Sequence, residues 1–291
     1  MIPDHIRQIY PFRSQYVALS DTDDLRMHYI DEGAESSDAL PLLCVHGNPT
    51  WSFYFRNIIS HFKKSRRVIA PDHIGCGASS APQDFSYTLE RHIENLGRFI
   101  EKKNLKKVDL LVHDWGGAIA LGWAVKNPEK VGRIILTNTA GFRSKNIPYR
   151  IAIGKIPVVG EFMIRRFNAF ARAAIYMAPA KPLNKNVRKG LLWPYRDYRR
   201  RIAVARFVQD IPLHSKHQSY DTLHEIEKGL QQFSSALILW GEKDFCFNQS
   251  FLDKWKEIWP DSKIISFSEG GHYLLEDESQ ACIRAIEEYL H

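Results

Sequence analysis

The sequence has no apolar run that approaches the roughly 18 residues of a membrane-spanning helix. Its first residues, MIPDHIRQIYPF, alternate charged and apolar side chains and lack the apolar stretch of a secretory signal. Cysteine is scarce, and its four residues are widely spaced with no CxxC pair and no His/Cys cluster. We therefore expect a cytoplasmic protein with four free thiols and neither a disulfide framework nor a zinc site.

Acidic residues are scarce in one region of the chain. Residues 141–221 hold 17 of the 40 Lys and Arg but only 4 of the 33 Asp and Glu, a net charge of +13, whereas the remainder carries −6. Such asymmetry is typical of proteins that bind an anionic ligand, a membrane surface or an acidic partner protein. It is equally typical of a helical face that is simply exposed to solvent. No nucleic-acid-binding motif and no repeat is present, so nucleic acid is not an expected partner.

Short apolar runs alternate with helical patterns along most of the chain. Stretches rich in Val, Ile and Leu occur in PLLCVHG, RRVIAPD, VDLLVHD, GRIILTN, SALILWG and SKIISFS. This alternation predicts an α/β fold, with a mostly parallel sheet flanked by helices. SQYVALSDTDDLRMHYIDEG reads as two further strands joined by a polar turn, an antiparallel edge that brings the sheet to about eight strands.

The alternation stops after NTAG at residues 138–141, where a basic and aromatic segment replaces the next helix and strand. Helical periodicity is present in GEFMIRRFNAFARAAIYM and in YRDYRRRIAVARFV, with intervening prolines that break helices. We predict one core, formed by residues 1–140 and 222–291, with residues 141–221 inserted as a cap of several short helices.

The stretch LLVHDWGGAIALGW, residues 110–123, combines an apolar strand, a sharp turn and a helix of small residues. This is the context in which hydrolases present a nucleophile, with Asp114 where serine usually stands. Gly116 and Gly117 permit close backbone approach, and the Trp115 N–H and the positive helix end lie beside the carboxylate. Taken alone, the motif is equally compatible with an aspartate that caps a helix.

Two later positions make the catalytic interpretation stronger. Asp244 follows the strand ALILW and His272 lies in the loop SEGGHYLLED, so nucleophile, acid and histidine occur in the chain order of the α/β-hydrolases. HGNP at residues 46–49 follows an earlier strand, where this fold places its second oxyanion donor. A carboxylate is already ionised and can displace a leaving group from an sp³ carbon, after which His272, oriented by Asp244, activates water against the ester. The motif thus indicates C–halogen or strained C–O bonds rather than ordinary esters or amides.

Over nearly its whole length the sequence resembles the haloalkane dehalogenase branch of the α/β-hydrolase fold, in which the turn reads HDWG. That resemblance implies that the indole N–H of Trp115 and the side chain of Asn48 hold the leaving anion. Epoxide hydrolases are also similar, but they usually carry an aromatic residue after HG and two cap tyrosines, and fluoroacetate dehalogenases normally have Arg where Trp115 stands. The predicted cap does contain tyrosines, at Tyr149, Tyr176, Tyr195 and Tyr198, so an epoxide hydrolase stays open.

A closer resemblance is to the β-lactone decarboxylases of bacterial long-chain olefin biosynthesis, seen in HGNPTWSFYFR, HDWGGAIALGW, FNAFARAA and FVQDIPL. It implies that a cis-3,4-dialkyl oxetan-2-one loses CO₂ to give a cis-alkene, with His272 as a proton shuttle. It also leaves open an assembly with other enzymes of the olefin pathway. Asp114, His272, Asp244, Asn48 and Trp115 do not separate the two families, so a haloalkane dehalogenase is the alternative, and a non-enzymatic receptor or assembly subunit is the third.

Long alkyl chains require an apolar channel, and the predicted cap is rich in large apolar side chains. We predict that a small hydrophobic substrate contacts Phe142, Phe167, Phe170 and Leu213; the alternative is that these residues only pack the cap onto the core. We expect neither a cofactor nor a metal.

Overall fold

A mixed sheet of eight strands is the centre of the computed structural model, which describes residues 2–20, 25–33 and 39–291. The strands are β1 (Gln15–Ala18), β2 (Arg26–Glu32), β3 (Leu42–Val45), β4 (Val68–Pro71), β5 (Val108–Asp114), β6 (Val131–Thr139), β7 (Leu237–Gly241) and β8 (Lys263–Phe267). Their spatial order is β1-β2-β4-β3-β5-β6-β7-β8, with β2 antiparallel to β1 and β4 and all other neighbours parallel. The predicted sheet is confirmed, although the polar turn DTDD between its first two strands lies outside the described residues.

Helices cover both faces of this sheet. They are α1 (Asp4–Arg7), α2 (Arg56–Phe62), α3 (Leu89–Lys102), α4 (Trp115–Ala124), α5 (Tyr149–Ala152), α6 (Val159–Phe167), α7 (Ala169–Met177), α8 (Lys185–Leu192), α9 (Ile202–Gln209), α10 (Tyr220–Gly229), α11 (Gln249–Ile258), α12 (Leu274–Asp277) and α13 (Ser279–Leu290). Among the described residues, none of them has both the length and the apolar composition needed to span a bilayer.

The alternation of side chains along β3 shows why two helical layers are needed. Leu43 and Val45 belong to one buried cluster, with apolar residues of α3 and α4, whereas Leu42 and Cys44 belong to a second, with residues of α2 and α13. Successive side chains of a strand point to opposite faces. A strand that is apolar at every position therefore needs cover on both sides, which these four helices supply.

Between β6 and β7 the chain forms α5 to α10, linked by turns and single turns of 3₁₀ helix. The helix predicted in GEFMIRRFNAFARAAIYM is two helices, because Asn168 adopts a left-handed conformation (φ 57°) that ends α6 before α7 begins. α10, which begins at the end of the predicted cap, packs against α3 and α4 of the core. The division into residues 1–140, 141–221 and 222–291 stays a prediction.

Candidate active site

Asp114 is the last residue of β5 and directly precedes α4. Its backbone has φ 53° and ψ −130°, a conformation that L-residues rarely adopt. Close packing holds the turn, because a Cβ atom on Gly116 would collide with the Val45 carbonyl and one on Gly117 with the Thr139 side chain. The Thr139 hydroxyl also donates a hydrogen bond to the Asp114 carbonyl oxygen. The sequence GG is therefore what allows the sharp turn, as the motif predicted.

The structure brings Asp114, Asp244 and His272 together at the carboxyl edge of the sheet. His272 Nδ1 lies 2.7 Å from Asp244 Oδ2, and His272 Nε2 lies 3.7 Å from Asp114 Oδ2. The second Asp244 oxygen accepts hydrogen bonds from the backbone N–H groups of Cys246 (2.6 Å) and Phe247 (3.1 Å). The imidazole thus lies between two carboxylates. Asp244 orients the ring, and Asp114 is close enough for His272 to act on an ester formed there.

Two neighbours that the sequence did not reveal also fix the histidine. The ring of Phe247 stacks on that of His272, with centroids 5.7 Å apart. His113 Nε2 lies 2.8 Å from the His272 carbonyl oxygen. Burial lowers the pKa of His113 well below its usual value, so its neutral ring donates this bond. His113 precedes the nucleophile in a strand and so points to the opposite face; its proximity to a residue 159 positions later comes only from the fold.

The backbone N–H of Asn48 donates a hydrogen bond of 2.6 Å to Asp114 Oδ1. The chain approaches Asp114 so closely that a Cβ on Gly47 would overlap the Asp114 side chain, which explains the glycine in HGNP. The second donor expected in this loop therefore lies against the nucleophile. The Asn48 side chain is not bonded to Asp114: its Nδ2 donates to the Val204 carbonyl oxygen of α9 at 3.3 Å, and its Oδ1 is buried with no partner in the described chain. Asn48 nevertheless lines the same cavity as Asp114.

Trp115 is half-buried and lies on the wall of the same cavity as Asp114. Its ring packs against Phe207 of α9, with centroids 5.3 Å apart. Its indole N–H donates no hydrogen bond to any residue that the structure describes. This N–H is therefore not engaged by the described chain, and its role as a donor to a leaving anion stays a prediction.

The electrostatics of Asp114 and His272 are coupled. Burial raises the pKa of Asp114, while His272 and the backbone N–H groups of Trp115 and Asn48 oppose that rise. Burial alone would lower the pKa of His272, but the charge of Asp244, its hydrogen bond and the charge of Asp114 together raise it. Because an ester on Asp114 carries no charge, its formation would remove one cause of the raised pKa of His272. The pKa would fall, and a larger fraction of the imidazole would be neutral and able to accept a proton.

A cavity of about 380 Å³ lies between the core and the segment from residue 141 to 221, with Asp114 and His272 on its wall. Most of the other lining side chains are apolar. Phe142 and Phe170, both predicted to contact substrate, line it. Phe167 and Leu213 do not: Phe167 is half exposed and packs edge to face on Phe162, outside the cavity. Periodicity indicated an apolar cap but not which apolar face turns inward.

The cap tyrosines discriminate between the alternatives. Tyr149, Tyr176 and Tyr198 are exposed, and the hydroxyl of the buried Tyr195 donates to the Thr50 carbonyl oxygen at 3.2 Å. Among the described residues, none of these four lines the cavity. The pair of proton-donating tyrosines expected of an epoxide hydrolase is therefore not formed by them.

Asp244, Cys246 and His272 are the one set of potential metal ligands that converges in the described residues, with one ligand atom of each within 4.8 Å of the others. Both Asp244 oxygens are engaged, however, by His272 and by backbone N–H groups. Burial raises the pKa of the Cys246 thiol well above its usual value, which disfavours the thiolate that binds metals. The three residues are therefore better explained as a catalytic pair, Asp244 and His272, with the Cys246 backbone N–H bonded to Asp244, than as a metal centre. All four cysteines are free.

A model of the α/β-hydrolase fold family matches residues 41–279, and the chain belongs to that family. Within it, cis-3-alkyl-4-alkyloxetan-2-one decarboxylases of Shewanella oneidensis and Xanthomonas campestris are 37% and 35% identical to this chain, covering 97% and 91% of it and 89% and 92% of their own lengths. Haloalkane dehalogenase 2 of Mycobacterium tuberculosis is 28% identical, covering 96% of this chain and 95% of its own. Both resemblances predicted from the motifs are confirmed, and the chain is an enzyme.

The fold is likewise that of a solved haloalkane dehalogenase, DbeA from Bradyrhizobium elkani, with a TM-score of 0.87. The two are 24% identical, and the match covers 96% of this chain and 97% of the other. The likeness supports the fold.

Proposed function

We propose that this enzyme is a β-lactone decarboxylase that converts cis-3,4-dialkyl oxetan-2-ones to cis-alkenes and CO₂. The observation that carries the proposal is a carboxylate, Asp114, placed as nucleophile on the wall of an apolar cavity. An apolar wall suits two alkyl chains, and a carboxylate nucleophile suits a strained C–O bond. The two decarboxylases that are more than 30% identical to this chain support this substrate class.

The two Asp114 oxygens have different roles in this mechanism. Oδ1 is held by the backbone N–H of Asn48, whereas Oδ2 faces His272 Nε2. Oδ2 is thus the oxygen that attacks, and Oδ1 becomes the carbonyl oxygen of the ester. The oxyanion donors then stand where a tetrahedral intermediate would place its charge, which assists attack of water on the ester but not the first displacement.

For the lactone, we favour attack of Oδ2 on ring carbon C4 over attack on the carbonyl. The Oδ2–C4 bond forms while the C4–O bond breaks, and its electron pair moves to the released carboxylate. The C3–CO₂ bond then breaks, its electrons form the double bond, and the C4–Oδ2 bond returns its pair to Asp114. Inversion at C4 followed by anti elimination keeps a cis arrangement of the alkyl groups. Water is not consumed, so His272 contributes its charge beside the regenerating carboxylate.

In this mechanism, Trp115 and Asn48 donate hydrogen bonds to the leaving group. The lactone releases a carboxylate where a haloalkane releases halide, and both are anions that need N–H donors. The Trp115 indole is available for this role, and the Asn48 amide, tied by one N–H to α9, still has a second. The alternative function, hydrolysis of haloalkanes to alcohol and halide, would use the same groups, with His272 as the water-activating base. An epoxide hydrolase and a non-enzymatic subunit are less well supported.

Two wider expectations belong with this proposal. A β-lactone must be made by another enzyme, so we propose an assembly with other enzymes of olefin formation and a cytoplasmic location. Co-purification of a tagged chain from its native host, followed by identification of the bound proteins, would test the assembly. Recovery of the chain alone at native concentration would count against it.

Side-by-side incubation with a cis-dialkyl β-lactone and a 1-haloalkane tests the function. We expect alkene and CO₂ in equal amounts from the lactone, measured by gas chromatography, and little halide from the haloalkane. An Asp114→Ala protein serves as the control for spontaneous decarboxylation. Fast halide release without alkene would instead establish the dehalogenase, and no turnover of either substrate would overturn both.

A further inference from the structure

Large apolar side chains are exposed almost exclusively on one part of the molecule. Of those in the described residues, all but Tyr16 lie between residues 149 and 198. The densest group, which we call the apolar patch, consists of Ile153, Ile156, Val158, Val159, Phe162 and Phe167, each at least 45% exposed. Scattered exposed apolar residues are ordinary, but a contiguous group marks a surface that contacts something.

The apolar patch comes from one short stretch of chain that is held by backbone hydrogen bonds, and the rings of Phe162 and Phe167 within it are in contact. Ile156 N–H donates to the Ile153 carbonyl, and Phe162 N–H donates to that of Val158, at the start of α6. Val158 is 81% exposed and has φ 65°, a conformation that is unfavourable for a β-branched residue. Neither its backbone conformation nor its exposure to water favours a valine at this position. Contact of the side chain with an apolar environment would favour it.

Cations without an acidic partner lie in the same part of the chain as the patch. Lys145, Arg150, Arg166 and Arg172 are exposed, and none forms an ion pair with any described residue. The Arg166 guanidinium lies over the ring of Phe167 in the patch, and Arg150 donates to the Tyr149 hydroxyl. The acidic residue of α6, Glu161, is already engaged by Arg165 and Arg206. The charges of these four cations are thus left uncompensated in the segment that exposes apolar side chains.

The cavity opens at this surface. Arg150, Ile153 and Met163 line the cavity and are also exposed, so they form part of its rim. Ile153 belongs both to the rim and to the apolar patch. A molecule that lies on the patch is therefore adjacent to the entrance that leads to Asp114.

We propose that the apolar patch and its cations dock the enzyme on the surface of an anionic lipid bilayer, with the cavity mouth toward the acyl chains. Exposed apolar residues that enter the interface, flanked by Lys and Arg that contact anionic headgroups, are the combination that such binding requires. A second copy of the chain would present the same positive charge and be repelled. An acidic protein would satisfy the cations but not the patch. Docking is independent of the proposed function; direct loading of a water-insoluble lactone rests on it.

Co-sedimentation of the full chain with lipid vesicles tests docking without any turnover. We expect binding to phosphatidylcholine vesicles that contain phosphatidylglycerol, loss of binding as salt is raised, and little binding to pure phosphatidylcholine. Val158→Ser with Phe162→Ser should weaken binding about tenfold or more, because two apolar side chains no longer enter the interface. Arg166→Glu with Arg172→Glu should weaken it at least as much, since each lost cation alone costs about fivefold.

The matched control is Lys106→Glu with Lys107→Glu, two exposed lysines that precede β5 and so lie at the end of the sheet opposite to Asp114. This variant changes net charge equally and should bind like the wild type. Equal binding by all variants, or no binding of the wild type at low salt, would overturn the proposal. So would lipid-free sedimentation showing a wild-type dimer that Val158→Ser with Phe162→Ser dissociates, because the patch would then be a subunit interface. Decarboxylase activity on a lactone dissolved in detergent is measured separately, so failure of docking and failure of the function are distinguishable.

Discussion

The two sides of the site differ in their hydrogen bonding. The core side consists of the triad residues at the edge of the sheet, and the cap side consists of the cavity wall contributed by residues 141–221. On the core side, both oxygens of Asp244 and Oδ1 of Asp114 accept hydrogen bonds, and His272 is held through its ring and its backbone. On the cap side, the wall consists mainly of apolar side chains, and the outer surface exposes both apolar groups and unpaired cations. The core side therefore holds its catalytic groups in one geometry, whereas the cap side offers apolar surface for contact with apolar molecules.

The comparison teaches where chemistry and selectivity reside. The cis-3-alkyl-4-alkyloxetan-2-one decarboxylase of Shewanella oneidensis and haloalkane dehalogenase 2 of Mycobacterium tuberculosis both match this chain over nearly its whole length, although their activities differ. Because a preorganised nucleophile and leaving-group site can serve either substrate, we expect the choice between lactone and haloalkane to depend on the cap-side wall. Changes on the core side should therefore abolish every activity, whereas changes on the cap side should alter the substrate range.

The largest effect is expected from Asp114→Ala or Asp114→Asn. Either change removes the anionic nucleophile, so turnover of lactone and haloalkane should both fall by about 10⁴-fold or more. The Asn variant is nearly isosteric and retains an oxygen for the Asn48 N–H. Circular dichroism should show a folded protein, and mass spectrometry must exclude deamidation of the Asn variant. Activity near that of the wild type in folded Asp114→Ala would remove the covalent mechanism.

His272→Phe should separate the two chemistries. Phenylalanine can stack on Phe247 as the imidazole does, but it cannot activate water, so hydrolysis of an alkyl ester should slow by about 10²–10⁴-fold. Exposure to a bromoalkane should leave the alkyl group on Asp114, visible as added mass on the intact protein. The lactone, which needs no water, should still give multiple turnovers at a reduced rate.

The matched control for that experiment is the double variant Asp114→Ala with His272→Phe, which should acquire no mass. An adduct on the double variant would place the attack at another residue. Sustained halide release by His272→Phe would exclude the histidine as the base that activates water.

The sheet could be predicted from sequence because its strands are apolar at every position and separated by helical patterns of ordinary length. The triad could be predicted because Asp114 ends β5, while Asp244 and His272 lie in the loops after β7 and β8, and the carboxyl ends of parallel strands meet at one edge. Chain order alone then specifies which side chains converge.

The remainder depends on contacts that local sequence does not contain. The bond between His113 and the His272 carbonyl joins β5 to the loop after β8, far apart in the chain. The Asn48 amide is bonded to a backbone carbonyl of α9, which any residue could supply. Phe167 and Phe170 are both aromatic residues in one short segment, yet only Phe170 lines the cavity. The left-handed Asn168 between them changes the helix direction and so turns their side chains differently. Periodicity computed across that break cannot assign them.

A smaller effect is expected where the core meets the cap, at Asn48 and Trp115. Loss of one preorganised N–H donor costs about 10²–10³-fold in rate, and Asn48→Ala and Trp115→Phe each remove one. Single-turnover rates with the lactone and with a bromoalkane should both fall well beyond any change in the melting temperature. Normal melting with wild-type rates on both substrates would show that the leaving-group site lies elsewhere.

The smallest effect tests the cap side alone, with Phe170→Ala compared against Phe167→Ala. The two residues are three positions apart, but Phe170 lines the cavity and Phe167 is half exposed outside it. Removing the Phe170 ring should lower kcat/KM for a long-chain lactone by about tenfold through lost apolar contact, and should affect a short-chain lactone less. Phe167→Ala should stay within about twofold of the wild type for both, in detergent without vesicles, because a surface substitution of this kind costs little. Equal losses for both variants would mean that the alkyl chains take a different path. A loss confined to Phe167→Ala would show that the cap-side wall has been assigned to the wrong helix, because Phe167 ends α6 whereas Phe170 lies in α7, and that selectivity depends on the outer surface.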